Sequence, residues 1–167
     1  MTAVIVVESC FGSTRAAAQE IARGLQDAGV PARVLSPGQA TGEALAGAGL
    51  VVLGAPTHNR GLPTTASLAK AAAAGGDDGA ERAGGPAGRS MREWLATAPI
   101  PPQARVAAFD TVTGRSWLHG SAARQILKAL GRRRAPMRSL VVTGTQGPLA
   151  HGEAQAARAW GAELARP

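Results

Sequence analysis

The chain has 167 residues, the size of one ordinary domain and enough to bury a core. Its longest apolar runs are strand-sized, far short of the roughly 20 residues a membrane-spanning helix needs, and its one cysteine, Cys10, excludes an intrachain disulfide or a cysteine-based zinc site. The formal charge of +7 comes almost wholly from arginine, and with no tyrosine and two phenylalanines the stacking surfaces that single-stranded nucleic acid requires are scarce.

Met1 and Thr2 run directly into the apolar stretch Ala3–Val7 without a charged-then-apolar leader, so a cytoplasmic protein is expected. Ala3–Val7 is the first expected strand. Ala17, Ala18, Ile21, Ala22 and Leu25 then fall on one helical face, with Gly29 as the stop. Ala32–Leu35 reads as the second strand, Thr41–Ala48 as a weaker helix, and Leu50–Leu53 as the third strand. A Gly/Ala-rich segment at about 70–88 breaks the rhythm and reads as a mobile insertion within a single domain spanning 1–167. Ser90 to Glu93 has capping-box spacing ahead of Trp94 and Leu95.

Arg105–Phe109 is the fourth strand. Ala122, Ala123, Ile126, Leu127 and Leu130 repeat the helical pattern between Ser121 and Gly131. The run Arg132-Arg133-Arg134 follows that helix end, where cations favour the macrodipole. Leu140–Thr143 is the fifth strand, and Ala156, Ala157, Trp160 and Leu164 form a last amphipathic helix. The strands are continuous and rich in Val and Leu, as parallel strands covered on both faces should be. Alternating strands and helices of these lengths give a doubly wound α/β sheet.

The loop Glu8-Ser9-Cys10-Phe11-Gly12-Ser13-Thr14 joins the first strand to the first helix. It offers three hydroxyls and a glycine immediately before a helix N-terminus, where free backbone N–H groups and the dipole favour an anion. The phosphate loop of nucleoside triphosphatases and the three-glycine dinucleotide fingerprint are both absent. The segment therefore reads either as a site for a monophosphate held by hydroxyls and amides, or as a Ser/Thr helix cap. Cys10 is expected to fill space beneath it. No Gly-x-Ser-x-Gly elbow surrounds Ser9. His58, His119 and His151 lie in three separate loops with no carboxylate at ligand spacing, so no metal site is expected.

Val6 to Thr14 resembles the flavodoxin signature, and its Glu-Ser-x-Phe-Gly-x-Thr form is similar to a branch of small flavodoxin-family proteins. Gly54-Ala55-Pro56-Thr57-His58-Asn59-Arg60-Gly61 resembles that branch's segment after the third strand. Ala108 to Thr111 with Gly120 to Ala123, and Gly147-Pro148-Leu149 with Gly152-Glu153, continue the match in order along the chain. The resemblance implies a flavodoxin-like three-layer sandwich: a five-stranded parallel sheet of order 2-1-3-4-5, helices on both faces, and FMN at the switch point beside the first strand.

Ser9, Cys10, Phe11, Gly12, Ser13 and Thr14 would then surround the FMN phosphate. Pro56, Thr57, His58, Asn59, Arg60 and Gly61 would line one side of the ring system. Asp110, Thr111 and Val112, with Trp117 in the following loop, would line the other side and the pyrimidine edge. The chain departs from the family in three respects. Only His58 and Trp117 stand where flavodoxins stack tyrosine or tryptophan on the flavin, Ser13 replaces a common asparagine, and the protein is basic. The implied function is electron transfer between partner proteins, acidic ones included. The alternatives are an FMN-dependent oxidoreductase with a nicotinamide donor and a quinone-like acceptor, and a flavodoxin-shaped binding module without FMN. No residue is assigned a catalytic role.

Overall fold

The computed structural model describes residues 1–58, 60–75, 88–114 and 120–166. Five strands form one sheet: β1 (Thr2–Val7), β2 (Ala32–Leu35), β3 (Ala48–Pro56), β4 (Arg105–Val112) and β5 (Met137–Val141). All neighbours are parallel, in the order β2-β1-β3-β4-β5. The helices are α1 (Ser13–Asp27), α2 (Gly42–Leu45), α3 (Thr65–Ala73), α4 (Met91–Leu95), α5 (Ala122–Ala129) and α6 (Glu153–Leu164).

Side chains alternate across a strand, and register carries the alternation through the sheet. Val6 pairs with Leu53 and Leu53 with Ala108, so all three face one side. There they meet Leu45 of α2, Met91 and Trp94 of α4, and Ala123, Ile126 and Leu127 of α5. The opposite set, including Ile5, Val52, Phe109 and Leu140, packs on Ile21 and Leu25 of α1 and Trp160 of α6. The buried Trp94 indole N–H is satisfied by the Ala40 carbonyl at 2.7 Å. Close packing of α1 on α6 depends on Gly24 and Gly161, where an added Cβ would lie 1.9 Å from the Arg158 carbonyl oxygen and 2.2 Å from that of Ile21.

Several boundaries differ from the sequence reading. The weak helix shrinks to Gly42–Leu45 because Ala48 already pairs with Thr2 in the sheet. β4 continues through Asp110, Thr111 and Val112, all buried, because two polar residues interrupt the apolar run before Val112. β5 begins at Met137, since an edge strand is half exposed and its Arg138 and Ser139 hide it from an apolar count. Residues 70–73 of the expected insertion belong to α3, while 76–87 lie outside the described residues. No helix among the described residues is long and apolar enough to cross a membrane.

Candidate functional site

β1 and β3 are neighbours whose following chains go to opposite faces: α1 packs on one, and after β3 the chain runs through α3, outside both clusters, to α4 on the other. A crevice at the carboxyl ends of the strands is the consequence of such a reversal. α1 begins at Gly12, which has a left-handed φ of +88°, no side-chain cap and no acidic residue in the first turn. By contrast α2, α3, α4 and α5 are each capped by a hydroxyl, from Thr41, Thr64, Ser90 and Ser121. α6 also lacks a side-chain cap but carries Glu153 in its first turn. Among the described helices, α1 alone combines an uncapped start with the absence of acid, which suits an anion.

The three hydroxyls of this loop do different things. Ser9 Oγ accepts the Gly12 N–H at 3.2 Å and turns the loop back on itself. Thr14 is 2% exposed, and its hydroxyl is 2.8 Å from that of Thr111, so it ties α1 to β4 in the floor of the crevice. Ser13 stands on the open side against Gly147, where a Cβ would come within 1.9 Å of Ser13 Oγ. Cys10 is buried. The Glu8 carboxylate, also buried, accepts the Met91 N–H at 3.2 Å and anchors the start of α4.

Asp110 organises the other two loops. It is 0% exposed, so it works from beneath the crevice. Its Oδ2 accepts from Ser121 Oγ at 2.6 Å, Thr57 Oγ1 at 3.1 Å and the Ala123 N–H at 3.1 Å. Thr57 Oγ1 in turn accepts the Ala122 N–H at 3.0 Å. The β3–α3 loop is thereby joined to the start of α5. His58 and Gly61 exchange two backbone hydrogen bonds, 2.8 and 2.9 Å, closing a tight turn over Arg60. Pro56 is buried in β3, its Cα partnered with Thr111.

A cavity of about 570 Å³ opens above these groups, lined by Phe11, Thr57, His58 and Thr111 together with Lys70, Thr113 and Gln146. It adjoins a second hollow of about 450 Å³ at Gly12, Ser13 and Gly147, and Phe11 and Gln146 line both. The pair offers an anion end at α1 and a wider chamber beyond, with a lysine in the chamber wall. Arg60 and Val112 border a different cleft, lined by residues of α5 and β5. Gly61 is buried against Gln125, whose Oε1 accepts the Leu62 N–H at 2.9 Å. Asn59 and Trp117 lie outside the described residues.

The sequence reading did not single out Lys70, Thr113 or Gln146. Lys70 stands among alanines, and the cap that starts its helix pairs Thr64 with Ser67 rather than with Glu or Gln, so the helix start carried a weak signal.

No protein-family model matches the chain, and no curated protein matches it. Solved structures do. A flavodoxin from the domain Archaea is 19% identical with a TM-score of 0.64, over 99% of this chain and 96% of that one. Oxidised Flavodoxin 1 from Bacillus cereus is 15% identical with a TM-score of 0.65, over 98% and 97%. The flavodiiron protein from Giardia intestinalis is 15% identical with a TM-score of 0.61, over 99% of this chain and 35% of its own. At these identities the likeness is one of architecture, and it agrees with the sheet order, so the chain has a flavodoxin-like fold.

Proposed function

We propose that the protein binds one FMN in the paired cavities and passes electrons between partner proteins in the cytoplasm. The observation that carries this reading is the uncapped, acid-free start of α1 at Gly12, opening into a chamber of about 570 Å³. That volume lies within the usual range for small-ligand sites. The residues fit the group. First-turn amides and the Ser13 hydroxyl would hold the phosphate, with Ser9 keeping the loop in shape. Thr57 and His58 would flank the ring system from β3, and Thr111 and Thr113 from β4. Bound flavin would supply reversible electron transfer, while the chain sets orientation, exposure and local charge.

The reading in which a nicotinamide donor reduces a quinone-like acceptor is favoured by one feature. Ser67, Lys70 and Ala71, with the C-cap Ala74, put one face of α3 along the chamber, which would enclose a small second substrate.

The test is a fluorescence titration of the purified full chain with FMN. One-to-one quenching of flavin emission is expected, weakened strongly by Ser13→Asp, which sets a like charge against the phosphate. Unquenched FMN at saturating protein would overturn the proposal and favour a binding module without cofactor.

A further inference from the structure

A second cleft, of about 650 Å³, lies between α5 and the edge strand β5. Arg60, Arg124, Lys128 and Arg138 border it, and among the described residues no Asp or Glu is in its lining. Arg124 and Lys128 stand one helical turn apart on α5 and are both exposed.

Arg60 reaches the rim in an unfavourable conformation. Its φ is +71°, the one positive value among the described non-glycine residues, and a side chain with a Cβ disfavours that region. The opposing loop is shaped to receive it: at Gly120 a Cβ would lie 2.1 Å from the Arg60 carbonyl oxygen. The fold therefore holds Arg60 over this cleft against its backbone preference.

Cations of one sign gathered around a cavity repel one another and raise the local potential. The carboxylate behind this wall is Asp110, fully buried behind Ser121, with Oδ2 already accepting three hydrogen bonds. It does not enter the cleft. An anion from outside would relieve the repulsion, and guanidinium forks match phosphate oxygens in pairs. A single phosphate would leave part of the charge unmatched. Gly114 and Gly120 in the lining present backbone without bulk.

We propose that this cleft is a ligand site for a diphosphate group, distinct from the chamber assigned to FMN. Arg124, Lys128 and Arg138 do not border that chamber, so the two sites can be tested separately.

The experiment is an amide-resolved NMR titration of the full chain with inorganic pyrophosphate, as purified and again with FMN added. Shifts are expected at Gly114, Gly120, Arg124 and Lys128 in both cases. Arg124→Gln and Lys128→Gln should each weaken binding about fivefold, as for partly screened surface charges, and leave FMN affinity unchanged. Their amide spectra report directly whether the fold is kept. ADP competing with pyrophosphate at higher affinity assigns the site to a nucleotide, and ADP binding more weakly assigns it to free polyphosphate. Three results would overturn the proposal: no shifts at the cleft, pyrophosphate affinity unchanged in the double variant, or tighter binding of a deca-glutamate peptide, which would mark an acidic-protein surface. Failure to bind FMN would leave the titration of the purified chain fully readable.

Discussion

The hydroxyls of Thr14 and Thr111 lie 2.8 Å apart across 97 residues of sequence, and both side chains are buried. This bond fixes the first turn of α1 to the end of β4. Removing one hydroxyl strands the other, so Thr111→Val alone should destabilise the protein by about 1–3 kcal/mol. Thr14→Val should do the same. The double variant leaves neither group unpaired and should fall well short of the sum. Urea denaturation of the four proteins in the cycle measures it, and strict additivity would show that the two hydroxyls do not pair in solution.

Asp110 offers a sharper comparison. Its Oδ2 takes three donors while its buried Oδ1 has no hydrogen-bond partner among the described residues. Asp110→Ala strands the donors of Ser121, Thr57 and Ala123 and should cost about 3–5 kcal/mol. Asp110→Asn keeps an acceptor where Oδ2 stands and places an amide where nothing is accepted, with no charge left to desolvate. It should remain within about 1–2 kcal/mol of the parent. Thermal unfolding of both variants separates the cases: equal losses would mean that the charge, rather than the bond geometry, holds the two loops together.

Much of this architecture is legible from residue order, and the reasons are local. Ala3–Val7 and Leu50–Leu53 are buried on both faces, so their apolar runs are unbroken and easily read. Ala17, Ile21 and Leu25 show their helix by period alone. Less is legible where polar residues do structural work. Thr14 and Asp110 have the residue types of a binding loop, yet they bond to Thr111, Thr57 and Ser121 in the floor. Pairing across such distances leaves no periodic trace. Arg60 sits in the segment that resembles a flavin loop, but its left-handed backbone places it at the other cleft, which spacing does not encode.

Glu93 supplies a pH-dependent prediction. The Ser90 backbone N–H and then the Ser90 hydroxyl donate to its carboxylate, holding Glu93 below the usual carboxylate range. A folded-state value lower than the unfolded one adds stability at pH above the unfolded value. That contribution disappears as pH falls through the folded value. Acidification should therefore loosen the start of α4, and with it the Met91 N–H that Glu8 holds. NMR titration of the Glu93 carboxyl follows this directly. Ser90→Ala should return the Glu93 midpoint toward its ordinary value and cost about 1 kcal/mol of helix capping. An unmoved midpoint would show that the Ser90 hydroxyl does not hold the Glu93 carboxylate in solution.

The last prediction rests on the proposed FMN site and concerns its potential. Lys70 lines the chamber, whereas Arg60 borders the other cleft. A cation beside the ring favours a reduced flavin that carries negative charge, by roughly 1 kcal/mol for one partly exposed charge at an effective dielectric near 20 and ordinary salt. Because 1.4 kcal/mol corresponds to about 59 mV for one electron, Lys70→Gln should lower the midpoint potential by some tens of millivolts. Arg60→Gln should move it less, and the arginines at 132–134, which border a third cleft at the amino ends of β4 and β5, should leave it unchanged. Added salt should shrink the Lys70 effect, because the residue is exposed. Spectroelectrochemistry of the FMN-loaded variants ranks the three. If Arg60→Gln gave the larger shift, the flavin would have to sit toward the α5 cleft rather than beneath α3, and the chamber assignment would be replaced.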